Sequence, residues 1–229
     1  MRKYTTELIG TFFLVLTIGC TVIPRAGGVI APLAVGSALM VMIFAGGHIS
    51  GGHYNPAVTL GVWICGKCDT KDVVPYMAFQ GVGALLAAVT VKYLTANTAV
   101  TTIHPATGPA LLAEFLFTFA LVFVVLNVAT SKDTAGNSFY GLAIGFTVLV
   151  GAFSVGGISG GAFNPAVALG MSFMGLSLWS NLWIYVVANF LGGALAGATY
   201  LALVKEEAKQ PKVTNSEDSR FEFSHSRSE

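Results

Sequence analysis

The chain has 229 residues, 54% of them hydrophobic and only 10% charged, with a mean hydropathy of +0.73. That balance belongs to membrane proteins and excludes an ordinary soluble domain. A net charge of +1 offers no basic field for nucleic acid, and three cysteines cannot build a disulfide framework.

The N-terminus, MRKYTTELIGTFFLVLTIGC, is basic and then apolar, the order seen in a secretory signal. Glu7 and the lack of a small-residue cleavage site argue instead for a first transmembrane helix. A crossing takes roughly 20 mostly apolar residues. On that measure the spans read as 4–23, 31–47, 73–95, 111–130, 139–155 and 182–204. Between the second and third spans lies ISGGHYNPAVTLG, residues 49–61, and after the fifth lies ISGGAFNPAVALG, residues 158–170. The copies differ only at His53/Ala162, Tyr54/Phe163 and Thr59/Ala168.

Each copy has a physical grammar. Asparagine suits a helix N-cap, and proline suits the first turn, where its missing N–H is no loss. Upstream glycines allow a tightly approaching backbone. The apolar runs after Asn55 and Asn164 are about half a span long. Short, Gly/Pro-interrupted segments in matching places point to re-entrant half-helices.

The repeat extends further. Glu7 and Glu114 open similar stretches, and Tyr76, Gln80, Gly83 and Leu86 match Tyr185, Asn189, Gly192 and Leu195. Those four pairs are 109 positions apart, as 55 is from 164. Each half, about 4–95 and 111–204, holds three spans, so the halves insert in opposite directions as an inverted repeat. The expected fold is therefore all-α: six transmembrane helices plus two half-helices over residues 1–204.

Basic residues set the expected orientation. Arg2, Lys3, Lys67, Lys71, Lys132, Lys205, Lys209 and Lys212 fall on one side and Arg25 on the other, which places both termini in the cytoplasm. Lys92, near the end of the third span, can snorkel. Cys65 and Cys68 form a lone CxxC; with no second pair or nearby histidine it reads as a solvent-edge loop with free thiols, not a metal site. Residues 205–229 are polar with mixed charge and read as a disordered cytoplasmic tail, in which Thr214 and Ser219 have acidic residues three positions on.

Opposed half-helices bring two helix N-termini together near the bilayer midplane. Each end carries about half a positive charge, and Asn55 and Asn164 add NH₂ donors. Carbonyls of Gly52, His53, Tyr54, Gly160, Gly161, Ala162 and Phe163 supply acceptors on either side. Donors at the centre and acceptors around it suit neutral hydrogen-bonding solutes, oppose cations and break a proton-conducting water chain. Glu7 and Glu114 are the intramembrane charges. Their symmetry favours bracing the two loops over a proton relay, and His48 reads as a further brace. No paired nucleophile and base, metal cluster or cofactor motif appears at the repeat centre.

Two Asn-Pro-Ala boxes (Asn55-Pro56-Ala57 and Asn164-Pro165-Ala166) inside a six-span inverted repeat resemble the aquaporin, or major intrinsic protein, family. With the Glu-x-x-x-Thr starts and Gly47 to His53, the resemblance covers essentially 3–204. It implies a channel in a lipid bilayer, as a homotetramer with a pore in each subunit. It also places an outer filter at Val35, Ala152, Gly161 and Val167. Many members carry arginine at the position of Val167, whereas some plant vacuolar members have valine there. Glycerol-conducting relatives usually carry aspartate shortly after the second box, and here that stretch is Val167-Ala168-Leu169-Gly170.

The sequence therefore leads to a passive channel for water, with hydrogen peroxide, ammonia, urea or glycerol as further neutral solutes. A channel mainly for such solutes is the alternative. A coupled transporter is remote, because the repeat centre has no carboxylate beside the passage. The cell membrane is the first expectation and an organelle membrane the second.

Overall fold

The structure is a computed structural model and describes residues 1–24, 28–96 and 98–207. Eight helices follow one another among these residues: α1 Arg2–Val22, α2 Ala31–Ser50, α3 Pro56–Ile64, α4 Thr70–Leu94, α5 Thr107–Val125, α6 Tyr140–Ser159, α7 Pro165–Met174 and α8 Leu182–Glu207. Six are long and apolar enough to cross a membrane. The expected tail lies outside the described residues from 208 onward, with Thr214 and Ser219, and so does Arg25.

The short helices explain the eight-for-six count. α3 has 9 residues and α7 has 10, which at 1.5 Å per residue is about 28 Å end to end. Laid head to head, they match the roughly 30 Å hydrocarbon core as one composite span. Packing obeys the repeat. α1 packs on α4 as α5 does on α8, α1 on α2 as α5 on α6, and α3 on α8 as α7 on α4, while α2 and α6 meet each other. Exchanging the two halves maps this set of neighbours onto itself.

Small residues make these crossings close, as membrane packing requires where no hydrophobic force drives helices together. A methyl at Gly83 would overlap the Leu8 carbonyl, and one at its repeat mate Gly192 would overlap that of Phe115. Gly36 and Gly145 press backbone on backbone where α2 crosses α6.

Two boundaries differ from expectation for one reason. α2 and α6 run past the glycine pairs at 46–47 and 156–157 and end only at Gly51 and Gly160, both with φ above +90°. A side chain on Gly46 would collide with the Tyr54 hydroxyl, so this glycine serves close packing within the helix. The fourth span ends at Thr130 as expected, but α5 gives way within it to a π-helical turn, Leu126–Thr130. Its loosened carbonyls are claimed by side chains: Asn127 Nδ2 donates to Phe123 O at 2.8 Å, Thr134 Oγ1 to Asn127 O at 2.6 Å, and Asn137 Nδ2 to Val128 O at 2.7 Å.

Candidate functional site

Each short helix starts as its sequence prescribes. Asn55 and Asn164 are extended N-caps whose Oδ1 atoms accept from Ala57 N at 2.8 Å and Ala166 N at 2.9 Å; Asn164 also takes Val167 N at 3.3 Å. The side-chain amides reach across to the other half. Asn55 Nδ2 donates to Phe163 O at 2.9 Å, and Asn164 Nδ2 donates to Tyr54 O at 2.8 Å. Two elements 109 residues apart are thus latched reciprocally. One N–H of each amide goes into the latch and the other is left for the cavity. The carbonyls of Tyr54 and Phe163 each give one lone pair to the latch, and both rings are buried.

Upstream of each asparagine, four residues turn the chain with strained backbone. Tyr54 and Phe163 have φ of 49° and 48°, the non-glycine residues with positive φ among those described. Buried carboxylates hold this geometry. Glu7 accepts from Ser50 Oγ at 2.6 Å, His53 N at 3.0 Å, Tyr54 N at 2.6 Å and Gln80 Nε2 at 2.8 Å. Glu114 accepts from Ser159 Oγ at 2.7 Å, Ala162 N at 2.9 Å and Phe163 N at 2.7 Å. The tyrosines Tyr76 and Tyr185 each donate to the last carbonyl of the preceding helix, on Ser50 and Ser159, at 2.7 Å.

The halves are not equal. In the first, the Thr59 hydroxyl donates to Asn55 O at 3.0 Å and receives Gln80 Nε2 at 3.1 Å. His53 Nδ1 lies 3.1 Å from the same oxygen. In the second half Ala168 replaces Thr59, and Asn189 is one carbon shorter than Gln80. Asn189 accepts from Thr118 Oγ1 at 3.0 Å.

His48 lies in the last turn of α2 and lines a cavity at one mouth. The histidine that contacts the loop network is His53, whose ring also packs edge-on against Tyr76 with centroids 5.1 Å apart. The serines Ser50 and Ser159 went unread as well. The signal was present: each stands in the repeated Ile-Ser-Gly-Gly, five residues ahead of the asparagine.

The asparagines face a narrow cavity of about 30 Å³. At roughly 10–15 Å³ per water in such a space, it holds two or three molecules in file. One side is polar, formed by Gly52, His53, Asn55, Gly161, Ala162 and Asn164. The opposite side is apolar, with Val35, Leu39, Leu121, Val125, Ile144 and Val148. At one end it shares Val35, Gly161 and Val167 with a wider cavity of about 260 Å³, which Ala152 and Gly160 also line. At the other end His53 and Val125 open into a cavity of about 520 Å³ bordered by Lys67, Asp69 and Asp72. The chain of cavities runs from one end of the bundle to the other. All four expected filter positions lie at its widening, and none carries a side chain larger than valine.

The charged mouth is tied to the N-terminus, where Asp72 accepts from Lys3 Nζ and, at 2.7 Å, from Tyr4 OH. Cys65 and Cys68 lie beside it as half-buried free thiols. Cys65 Sγ donates to Gly197 O at 3.5 Å, and burial pushes both thiols up.

A model of the family described as Major intrinsic protein matches residues 1–200. The chain is 40% identical over 206 residues to the "Glycerol uptake facilitator protein-like 6" of Lactiplantibacillus plantarum, covering 86% of this chain and 95% of that one. It is 37% identical to "Aquaporin NIP1-1" of Oryza sativa subsp. japonica, covering 86% and 72%. To "Aquaporin AqpM" of Methanothermobacter thermautotrophicus it is 34% identical, covering 90% and 98%. Among solved structures, that of the aquaglyceroporin from Plasmodium falciparum superposes with a TM-score of 0.77 at 23% identity, over 90% of this chain and 97% of that one.

Proposed function

The chain belongs to the major intrinsic protein family, and from that premise we propose that it is a passive channel for water and small neutral solutes that excludes ions and protons. Channels of this family pass water or small neutral solutes across membranes and are not enzymes. The observation that carries the finer reading is the two-sided passage between the latched asparagines. Its polar stripe of carbonyls and amides replaces part of a neutral solute's hydration, while the apolar wall opposite offers nothing to compensate a dehydrated ion. Two helix N-termini converge on the same point and add a positive potential against cations. The orientation bonds from the asparagines would interrupt the hydrogen-bonded water file that proton transfer needs.

The filter positions Val35, Ala152, Gly161 and Val167 give a constriction without arginine, histidine or ring. That supports a solute range wider than water alone, including glycerol, which the name of the Lactiplantibacillus relative also brings into view. In this reading both termini are cytoplasmic, the charged mouth faces the cytoplasm, and the working unit is a homotetramer with one pore per chain.

Purified protein in lipid vesicles, mixed by stopped flow with an impermeant osmolyte, is expected to shrink faster than empty vesicles. Under glycerol or urea gradients, it should re-swell faster than they do. Solute entry should not depend on a proton or sodium gradient. Water and solute fluxes no faster than in empty vesicles would sink the proposal, and gradient-driven uptake would replace it with a coupled transporter.

A further inference from the structure

The segment between α4 and α5 forms no membrane helix, yet it comes back across the mouth opposite the charged one. Two hydrogen bonds, the second of them part of a parallel bridge, pin it to the end of the second short helix. Thr102 Oγ1 donates to Gly175 O at 2.8 Å, Ile103 N donates to Leu176 O at 2.9 Å, and Ile103 pairs with Ser177 in a parallel bridge. Held there, Ile103 lines the 260 Å³ cavity together with Gly160, Gly161 and Val167. Its δ-methyl comes within 3.7 Å of the point that a side chain on Gly160 would occupy.

Ile103 therefore stands at the widening, with its δ-methyl directed toward Gly160. A branched four-carbon side chain outweighs every one of the four filter positions, the largest of which are valines. We propose that Ile103 is a specificity-determining residue of this channel: it narrows the entrance that the small filter residues leave open, and so sets the upper size of the solutes admitted. This rests on the channel reading above and assigns the size limit to a strap outside the membrane helices. Fixing the backbone by the Leu176 and Ser177 pairings matters, because a side chain on an untethered loop would move aside and exclude little.

The test uses the full-length protein in vesicles and reads the ratio of erythritol to water permeability, with each variant normalised by its own water flux. Ile103→Ala, which removes three carbons from the entrance, is expected to raise the ratio by about threefold or more, and Ile103→Trp to lower it by a similar factor. Val100→Ala, a truncation on the same strap at a residue that does not line the cavity, should leave the ratio unchanged. Wild-type ratios in both Ile103 variants, with water flux retained, would overturn the proposal and leave the channel reading standing. A Val100→Ala change equal to that of Ile103→Ala would overturn it too, because the effect would then come from loosening the strap. Absent water flux in the wild type would remove the channel reading itself.

Discussion

Replacing Glu7 by leucine is expected to abolish the folded channel. The side chain is fully buried and accepts four hydrogen bonds: two from backbone N–H groups of the strained loop, one from Ser50 and one from Gln80. Leucine is close in volume, so the loss is one of acceptors rather than of packing. Each buried donor left without a partner costs about 1–3 kcal/mol, and four of them approach the whole stability of a domain at roughly 5–15 kcal/mol. Tyr54 adds its own strain, because its positive φ survives only while its N–H is held. Glu114→Leu orphans three donors by the same count and should be severe but milder. Thermal unfolding in detergent, followed by tryptophan fluorescence, would order the two. A Glu7→Leu protein that unfolds at the wild-type temperature would show that the loop holds its shape without the carboxylate. Glu7→Gln is the informative intermediate, since it keeps one acceptor but turns an NH₂ toward a backbone or amide donor.

For selectivity, the largest expected effect is that of Val167→Arg. Val167 sits in the first turn of α7, nearly buried, where the narrow cavity meets the wider one. The 260 Å³ space beyond it can take a guanidinium with its water, so the substitution should fold. It would bring a fixed positive charge and five N–H donors to a wall that is otherwise apolar. Glycerol and urea, which need the full width, are expected to slow about tenfold, equivalent to about 1.4 kcal/mol of added barrier. Water flux should fall by much less. Parallel stopped-flow measurements of water and glycerol on the same vesicles would decide this, and an unchanged glycerol-to-water ratio would mean that position 167 does not face the solute.

What was legible in the sequence was what repeats or has a period. Six apolar runs of near-span length gave six helices, and two Asn-Pro-Ala boxes gave two N-capped short helices that the structure reproduces atom for atom in the cap bonds of Asn55 and Asn164. Helix ends were less legible, because glycine carries two opposed meanings. At Gly51 it stops a helix through a positive φ, while at Gly46 it lies within the helix and gives Tyr54 room to pack. The π-helical turn at Leu126–Thr130 left no trace in hydropathy, since its cause is a set of polar side chains reaching back from 127, 134 and 137. The cross-latch and the Ile103 strap were beyond a linear reading for a related reason. Their partners are 108 and 73 positions away or more, and nothing in either segment names the other. His48 and His53 show the same limit at short range: five residues apart, they differ in role only through the turn between them.

The reciprocal bonds between the two asparagines have a consequence for how the molecule is made. A ribosome adds roughly 5–20 residues per second, so residue 164 follows residue 55 after an interval of about 5 to 20 seconds. Throughout that delay the first half, even if fully inserted, has the Asn55 amide and the Tyr54 carbonyl without the mates they have at the end. Neither group can be left bare in hydrocarbon, so the nascent first half has to keep water, or a translocation partner, at its centre. The latch at the centre is thus completed last, by the arrival of the second half.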